Sequence, residues 1–185
     1  PNLTWRACEA SSSEAPGSSN GPFAAGFAAA QTNWNNHAPE RVAPQVSEAL
    51  QVEIWSDVQC PWCYIGKRRF ETALARSGEN VEITYRSFEL APDTPVDFEG
   101  TPADYLSDRK GISPDQARSM MAQVTEIAAG EGLAYDFDHV HQTNTVLAHD
   151  LLHLAKAHGL QAELKERLLA AYFEQGRHVG QASEL

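Results

Sequence analysis

Two cysteines stand three residues apart in the segment Cys60-Pro61-Trp62-Cys63. A dithiol at this spacing can make and break a disulfide, or it can supply half of a zinc site. Zinc needs two more ligands at a suitable spacing, and the sequence holds no second C-x-x-C. The flanks favour redox chemistry: an apolar run (Val52, Ile54, Trp55) and a polar turn (Ser56, Asp57) precede the pair, and a helical pattern follows it. Pro61 suits the first helical position, where a backbone N–H has no partner and a fixed φ is an advantage. Cys60 is then the N-cap and Cys63 the third helical residue, roughly 5–6 Å away and within disulfide range. The Cys60 sulfur lies over the unpaired N–H groups of the first turn, at the positive end of the helix dipole. That setting favours thiolate over thiol and makes Cys60 the expected nucleophile. Cys63, one turn in and less exposed, is the expected resolving thiol.

A second cluster invites a metal. His149 and His153 stand four apart in His149-Asp150-Leu151-Leu152-His153, one helical face, as in H-E-x-x-H zinc enzymes. Asp150 replaces the glutamate and is one methylene short for its role as base. Spacing places no third ligand, although His139 and His141 are near in sequence. His149, His153 and Lys156 are expected on a solvated face opposite the leucines, and no metal site is assigned. His37, His158 and His178 read as surface or helix-end residues, with His158 suited to a helix C-terminus.

These groups must be held by elements, and periodicity names them. Residues 51–56 form a strand. A helix from Pro61 runs to about Ser77 and stops at Gly78, with Gly66, Phe70 and Leu74 as its inward stripe. Lys67, Arg68 and Arg69 read as a solvated basic face. Residues 81–85 alternate apolar and polar as a half-buried strand that residues 87–90 continue. A helical crossover joins the two strands, so they should pair in parallel. Thr101-Pro102-Ala103-Asp104 and Ser113-Pro114-Asp115-Gln116 resemble capping boxes with proline at the first helical position. The second opens a helix to about Ala129, and residues 133–137 look extended. Further helices cover 145–158 (inward Leu147, Leu151, Leu154 and Ala155) and 161–175 (inward Leu164, Leu168 and Tyr172), stopped by Gly159 and Gly176.

Composition bounds the function. The 185 residues suffice for one domain with a real core and a tail. A net charge of −11 argues against nucleic-acid binding, which needs a basic face. No apolar run is long enough to span a membrane. Three cysteines, two of them in the motif, do not make a disulfide scaffold and suit a reducing, cytoplasmic setting. Residues 1–49 are rich in Ser, Ala, Asn, Gly and Pro and read as a mostly disordered tail, carrying an incidental Cys8 and the isolated aromatics Trp5, Phe23, Phe27 and Trp34. The apolar patch 23–30 has no basic flank and is not read as a secretory signal. The sequence begins at Pro1, and its only methionines are Met120 and Met121, so its start is expected to be processed, non-standard or missing.

The segment SDVQCPWCYIGKRRFE, the strand end SFELAP, YDFD and NTVLAHDLLHLAKAHG together resemble the FrnE-type branch of the DsbA-like thioredoxin superfamily, over roughly residues 50–180. The resemblance implies an α/β fold: a thioredoxin-like domain with a helical insertion. Residues 50–92 would be its first βαβ half and 93–185 the insertion. It implies thiol–disulfide exchange by Cys60 and Cys63, with Pro61 and Trp62 tuning the poise between them. Asp57, Asn144 and Thr145 are the implied substrate contacts. Partners would be protein thiols and disulfides or small thiols, and no metal or organic cofactor is required. Relatives include 2-hydroxychromene-2-carboxylate isomerase and kappa-class glutathione transferase, which typically carry Ser at the position of Cys60. A glutathione-dependent isomerase or transferase is therefore the main alternative, with a non-enzymatic zinc module behind it. The family often has a basic residue where Asp150 stands. Its members also continue to a cis-proline loop, two antiparallel strands and a last helix, whereas no proline here lies beyond Pro114. The chain is thus expected to be truncated before those elements, with an exposed strand edge and uncovered apolar surface.

Overall fold

The computed structural model describes residues 49–185, so the expectations for the tail and for Cys8 lie outside it. The order is β1 (Leu50–Ser56), α1 (Pro61–Ser77), β2 (Val81–Ser87), α2 (Pro102–Lys110), α3 (Pro114–Gly130), α4 (Val146–Ala157) and α5 (Gln161–Phe173). β1 and β2 pair in parallel in register from Leu50 opposite Val81 to Ser56 opposite Ser87. The helical crossover of α1 permits this pairing, which a tight hairpin could not. α1 ends where Gly78 takes a left-handed conformation (φ 70°) and returns its N–H to the Leu74 carbonyl. Both expected capping boxes form: Thr101 and Asp104 exchange bonds at the start of α2, and Ser113 and Gln116 do so at the start of α3.

Three helix faces differ from the periodicity. α1 buries Tyr64, Ile65 and Lys67, while Gly66 is exposed and Phe70 and Leu74 are half-buried. Its flank packs on α3 and α5, and the Tyr64 ring stacks with Tyr135 and Phe173, so the tertiary contact sets the rotation. α4 buries Ala148, His149 and Leu152 and leaves Leu147 and Leu154 exposed. One residue is about 100° on a helix, and α4 is turned by that much because His149 bonds Asp57. α5 buries Leu168 and Tyr172 as expected, but Lys165 and Leu169 join them.

Residues 133–137 form no strand. Asp136 N–H bonds the Phe173 carbonyl, and Tyr135 turns into the core. β2 stops at Ser87, because the Leu90 N–H goes to Asp57 instead of a ladder. Of the basic cluster only Arg69 is solvent-exposed. Lys67 is buried between Glu71 and Glu166, and Arg68 also bonds Glu166. The core lies between α1 and α3–α5 and includes Tyr64, Ile65, Tyr135, Leu152, Leu169 and Phe173. On the sheet side, Leu50 and Trp55 remain more than half exposed.

Candidate active site

The turn between β1 and α1 presents the dithiol. Cys60 is the N-cap in extended conformation (φ −90°, ψ 110°), and Pro61 is the first helical residue. The Cys63 N–H bonds the Cys60 carbonyl at 3.0 Å. The Tyr135 hydroxyl donates to the Pro61 carbonyl at 2.7 Å and ties this first turn to the aromatic cluster behind it. Both cysteines are free thiols and half-buried, so Cys63 is not the plainly more hidden of the two. Trp62 is 54% exposed and stands at the rim.

The two sulfurs share a hydrogen bond, and one proton serves both. That bond from Cys60 pulls Cys63 down to about 6, against burial, with help from the Ser56 hydroxyl, the Asp57 backbone and the charge of Lys165. The same bond, reinforced by burial, pushes Cys60 up. The first negative charge belongs to the pair as a whole, with Cys63 drawn down and Cys60 pushed up by the bond between them. Cys63 collects a hydroxyl, a backbone donor and a nearby cation; Cys60 is favoured by the first-turn backbone groups of Trp62 and Cys63. As a unit, the pair loses its first proton near 6.

Asp57 anchors the turn. It is 1% exposed. Its Oδ1 accepts from the Val58 N–H at 2.7 Å, the Thr145 hydroxyl at 2.8 Å and His149 Nε2 at 3.2 Å. Its Oδ2 accepts from the Leu90 N–H at 2.7 Å and Gln59 Nε2 at 3.2 Å. Burial opposes ionisation, but the bonds from His149, Leu90 and Thr145 hold the carboxyl down to about 2. A second chain of bonds runs from Gln59 through Gln142 to the Tyr172 hydroxyl.

An open groove of about 550 Å³ lies beside the turn. Cys60, Pro61 and Trp62 line one side, and Met120, Met121 and Phe137 give it an apolar wall, with Arg109 at its edge. Cys63 does not line it. Asp57 and Thr145 do not line it either; both are buried and bonded to each other under the turn. Asn144 is half-buried, donates to the Pro92 carbonyl and accepts from the Val146 N–H at the start of α4. The structure joins Asp57 and Thr145 beneath the dithiol turn, while Asn144 bonds the start of α4. The histidine pair does not converge: His149 bonds Asp57, while His153 is exposed against the Ser87 hydroxyl. Among the described residues no three His, Cys, Asp or Glu side chains gather as a metal site.

Sequence reasoning missed Lys165, Glu166, Gln142 and Tyr135. A signal existed for Lys165, which interrupts the series Gln161, Leu168, Leu169 and Tyr172 on the buried face of α5. Nothing local marks the other three.

Known proteins are similar to this chain. A probable DsbA oxidoreductase of Streptomyces coelicolor is 41% identical, with a TM-score of 0.61 over 67% of this chain and 54% of that one. The Bacillus subtilis protein YwbO is 26% identical over 132 residues, 71% of this chain and 60% of that protein. The cytosolic disulfide reductase DsbM of Pseudomonas aeruginosa is 15% identical, with a TM-score of 0.46 over 72% of this chain and 60% of that one. The chain thus spans between half and two thirds of the length of these relatives. Residues 51–185, which hold both strands but for Leu50, the dithiol turn and all five helices, match one family, and the chain belongs to the DSBA-like thioredoxin domains.

Proposed function

We propose that this chain carries the dithiol of a thiol–disulfide oxidoreductase, with Cys60 as the attacking sulfur and Cys63 as the resolving one. The observation that carries the reading is the position of Cys60: it lines the groove while hydrogen-bonded to Cys63, in a pair that loses its first proton near 6. A thiolate is therefore present at neutral pH. The shared proton need only cross the sulfur–sulfur bond to place the charge on Cys60. Cys60 thiolate then attacks a substrate disulfide, forms a mixed disulfide and expels a substrate thiolate. Cys63, once deprotonated, attacks the Cys60 sulfur, closes the Cys60–Cys63 disulfide and releases the second substrate thiolate. The reverse sequence oxidises a substrate dithiol.

Asp57, Thr145 and Asn144 act in this reading as positioning residues that fix the turn and the start of α4. Pro61 sets the helix start, and Trp62 offers an apolar face to the substrate. The apolar wall with Met120 and Met121 suits an unfolded or flexible peptide, since methionine adapts to varied partners. The test is insulin reduction by wild type and Cys60→Ser. The substitution is expected to reduce turnover to background. Retained activity, or tight glutathione binding by a working Cys60→Ser enzyme, would instead select the glutathione-dependent isomerase or transferase reading.

A further inference from the structure

Lys165 lies on the buried face of α5 and is 1% exposed. Its Nζ has no hydrogen-bond partner among the described residues. An ammonium removed from water and left unpaired is among the costliest groups a core can hold. The helix cannot turn it outward. Gln161, one turn earlier, exchanges two 3.0 Å bonds with the backbone of Tyr85 in β2. Glu166, the next residue, accepts from the Tyr64 hydroxyl at 2.9 Å and pairs with Lys67 and Arg68 of α1. Both clamps hold the Lys165 stem inward, behind the dithiol turn.

The charges that face it are few. Cys60 and Cys63 come from the start of α1, Asp57 from the turn before it, and Lys67 from one turn further along α1. Lys67 is neutralised by Glu71 and Glu166. Asp57 already accepts from Val58, Gln59, Leu90, Thr145 and, from α4, His149. Only the dithiol has a charge that changes during exchange chemistry.

We infer that Lys165 is the fixed counter-charge of the Cys60–Cys63 pair: it holds the reduced pair as thiolate and gives up its own proton when the pair becomes a disulfide. This rests on the redox reading above. The reduced site holds one proton on the two sulfurs, one negative charge on them and a cationic Lys165, so it is neutral as a whole. Reaction with a substrate disulfide joins the two sulfurs and passes two electrons to the substrate sulfurs. The shared proton and one proton from Lys165 follow through solvent, giving two substrate thiols, a disulfide and a neutral amine. Charge and atoms balance, and the positive charge leaves the core together with the negative charge of the sulfurs. Burial already pushes Lys165 down to about 8 with the sulfurs beside it, and loss of their negative charge lowers it further. Lys165 touches neither sulfur within hydrogen-bond distance; it is a positioning residue that acts through their charge.

Two measurements test this in the full chain. Thiolate absorbance of the reduced protein is titrated in wild type and Lys165→Met, which keeps the buried stem and removes the charge. The wild-type transition near 6 is expected to rise by about one pH unit, and the equilibrium with glutathione to shift about tenfold toward the disulfide. In wild type, the labelled Lys165 side chain is titrated by NMR in both redox states, and the oxidised state should titrate lower by about one pH unit. An unmoved thiolate transition in folded Lys165→Met, or equal Lys165 midpoints in the two states, would overturn the counter-charge. Should the variant not fold, the NMR comparison decides alone. Failure of the wild-type pair to form a reversible disulfide with glutathione would remove the redox reading itself; normal cycling with an indifferent Lys165 would remove only this inference.

Discussion

Asp57 carries its negative charge with almost no water around it, and its bonds make that possible. Its carboxyl falls from 3.8 to about 2 in the folded chain. A depressed acid stabilises the fold above the unfolded value and loses that contribution as pH falls through the folded one. The difference amounts to about 2 kcal/mol, present at pH 7 and lost between roughly pH 4 and pH 2. Asp57→Asn places an amide donor among donors, so urea unfolding at neutral pH should show a loss of at least about 2 kcal/mol. The gap between variant and wild type should narrow as pH falls from about 4 to about 2. A gap that stays constant over that window contradicts the assignment. The dithiol obeys the same sign for its first proton: with the pair losing it near 6 rather than at the ordinary thiol value, the contribution to the reduced fold is lost as pH falls through about 6.

At the next level, α1 and α5 act as one unit. Tyr64, Lys67 and Arg68 on α1 meet Glu166 on α5, and the same contact places Lys165 behind the sulfurs. α4 is locked to the dithiol turn through Thr145 and His149, and the segment after α5 closes over it. There Gly180 is buried so near Thr143 that an added Cβ would overlap the Thr143 hydroxyl and lie 2.8 Å from the Asn144 carbonyl. Gly180→Ala should therefore destabilise the chain by about 2 kcal/mol, seen as a lower urea midpoint with an unchanged slope. A midpoint equal to wild type would mean that the segment is not packed as described. The elements that sequence reasoning placed well depend on local signals. The Pro61 start, the Gly78 stop and the two capping boxes are decided within four residues. The helix faces were harder, because α1 is oriented by Tyr64 meeting Tyr135 and Phe173, and α4 by His149 meeting Asp57. A polar residue in an apolar series reads as solvent-facing until its distant partner is known. His149 and Lys165 were obscured for this reason, whereas Cys60 and Cys63 stood out through type and spacing alone.

The described residues combine a short parallel sheet with a helical wall, and the dithiol sits where they meet. That position gives Cys60 a groove on one side and a buried, charged interior on the other. No helix among the described residues is long and apolar enough to cross a membrane. The division of labour within the dithiol is the central claim, and trapping the mixed disulfide tests it without needing a protein substrate. Reduced Cys63→Ser and Cys60→Ser chains are mixed with oxidised glutathione at neutral pH, quenched with acid and mapped by mass spectrometry. Glutathione should accumulate on Cys60 in Cys63→Ser, and Cys60→Ser should react at least about tenfold more slowly, because Cys63 does not line the groove. Equal or faster capture at Cys63 would contradict the assignment of Cys60 as the attacking sulfur.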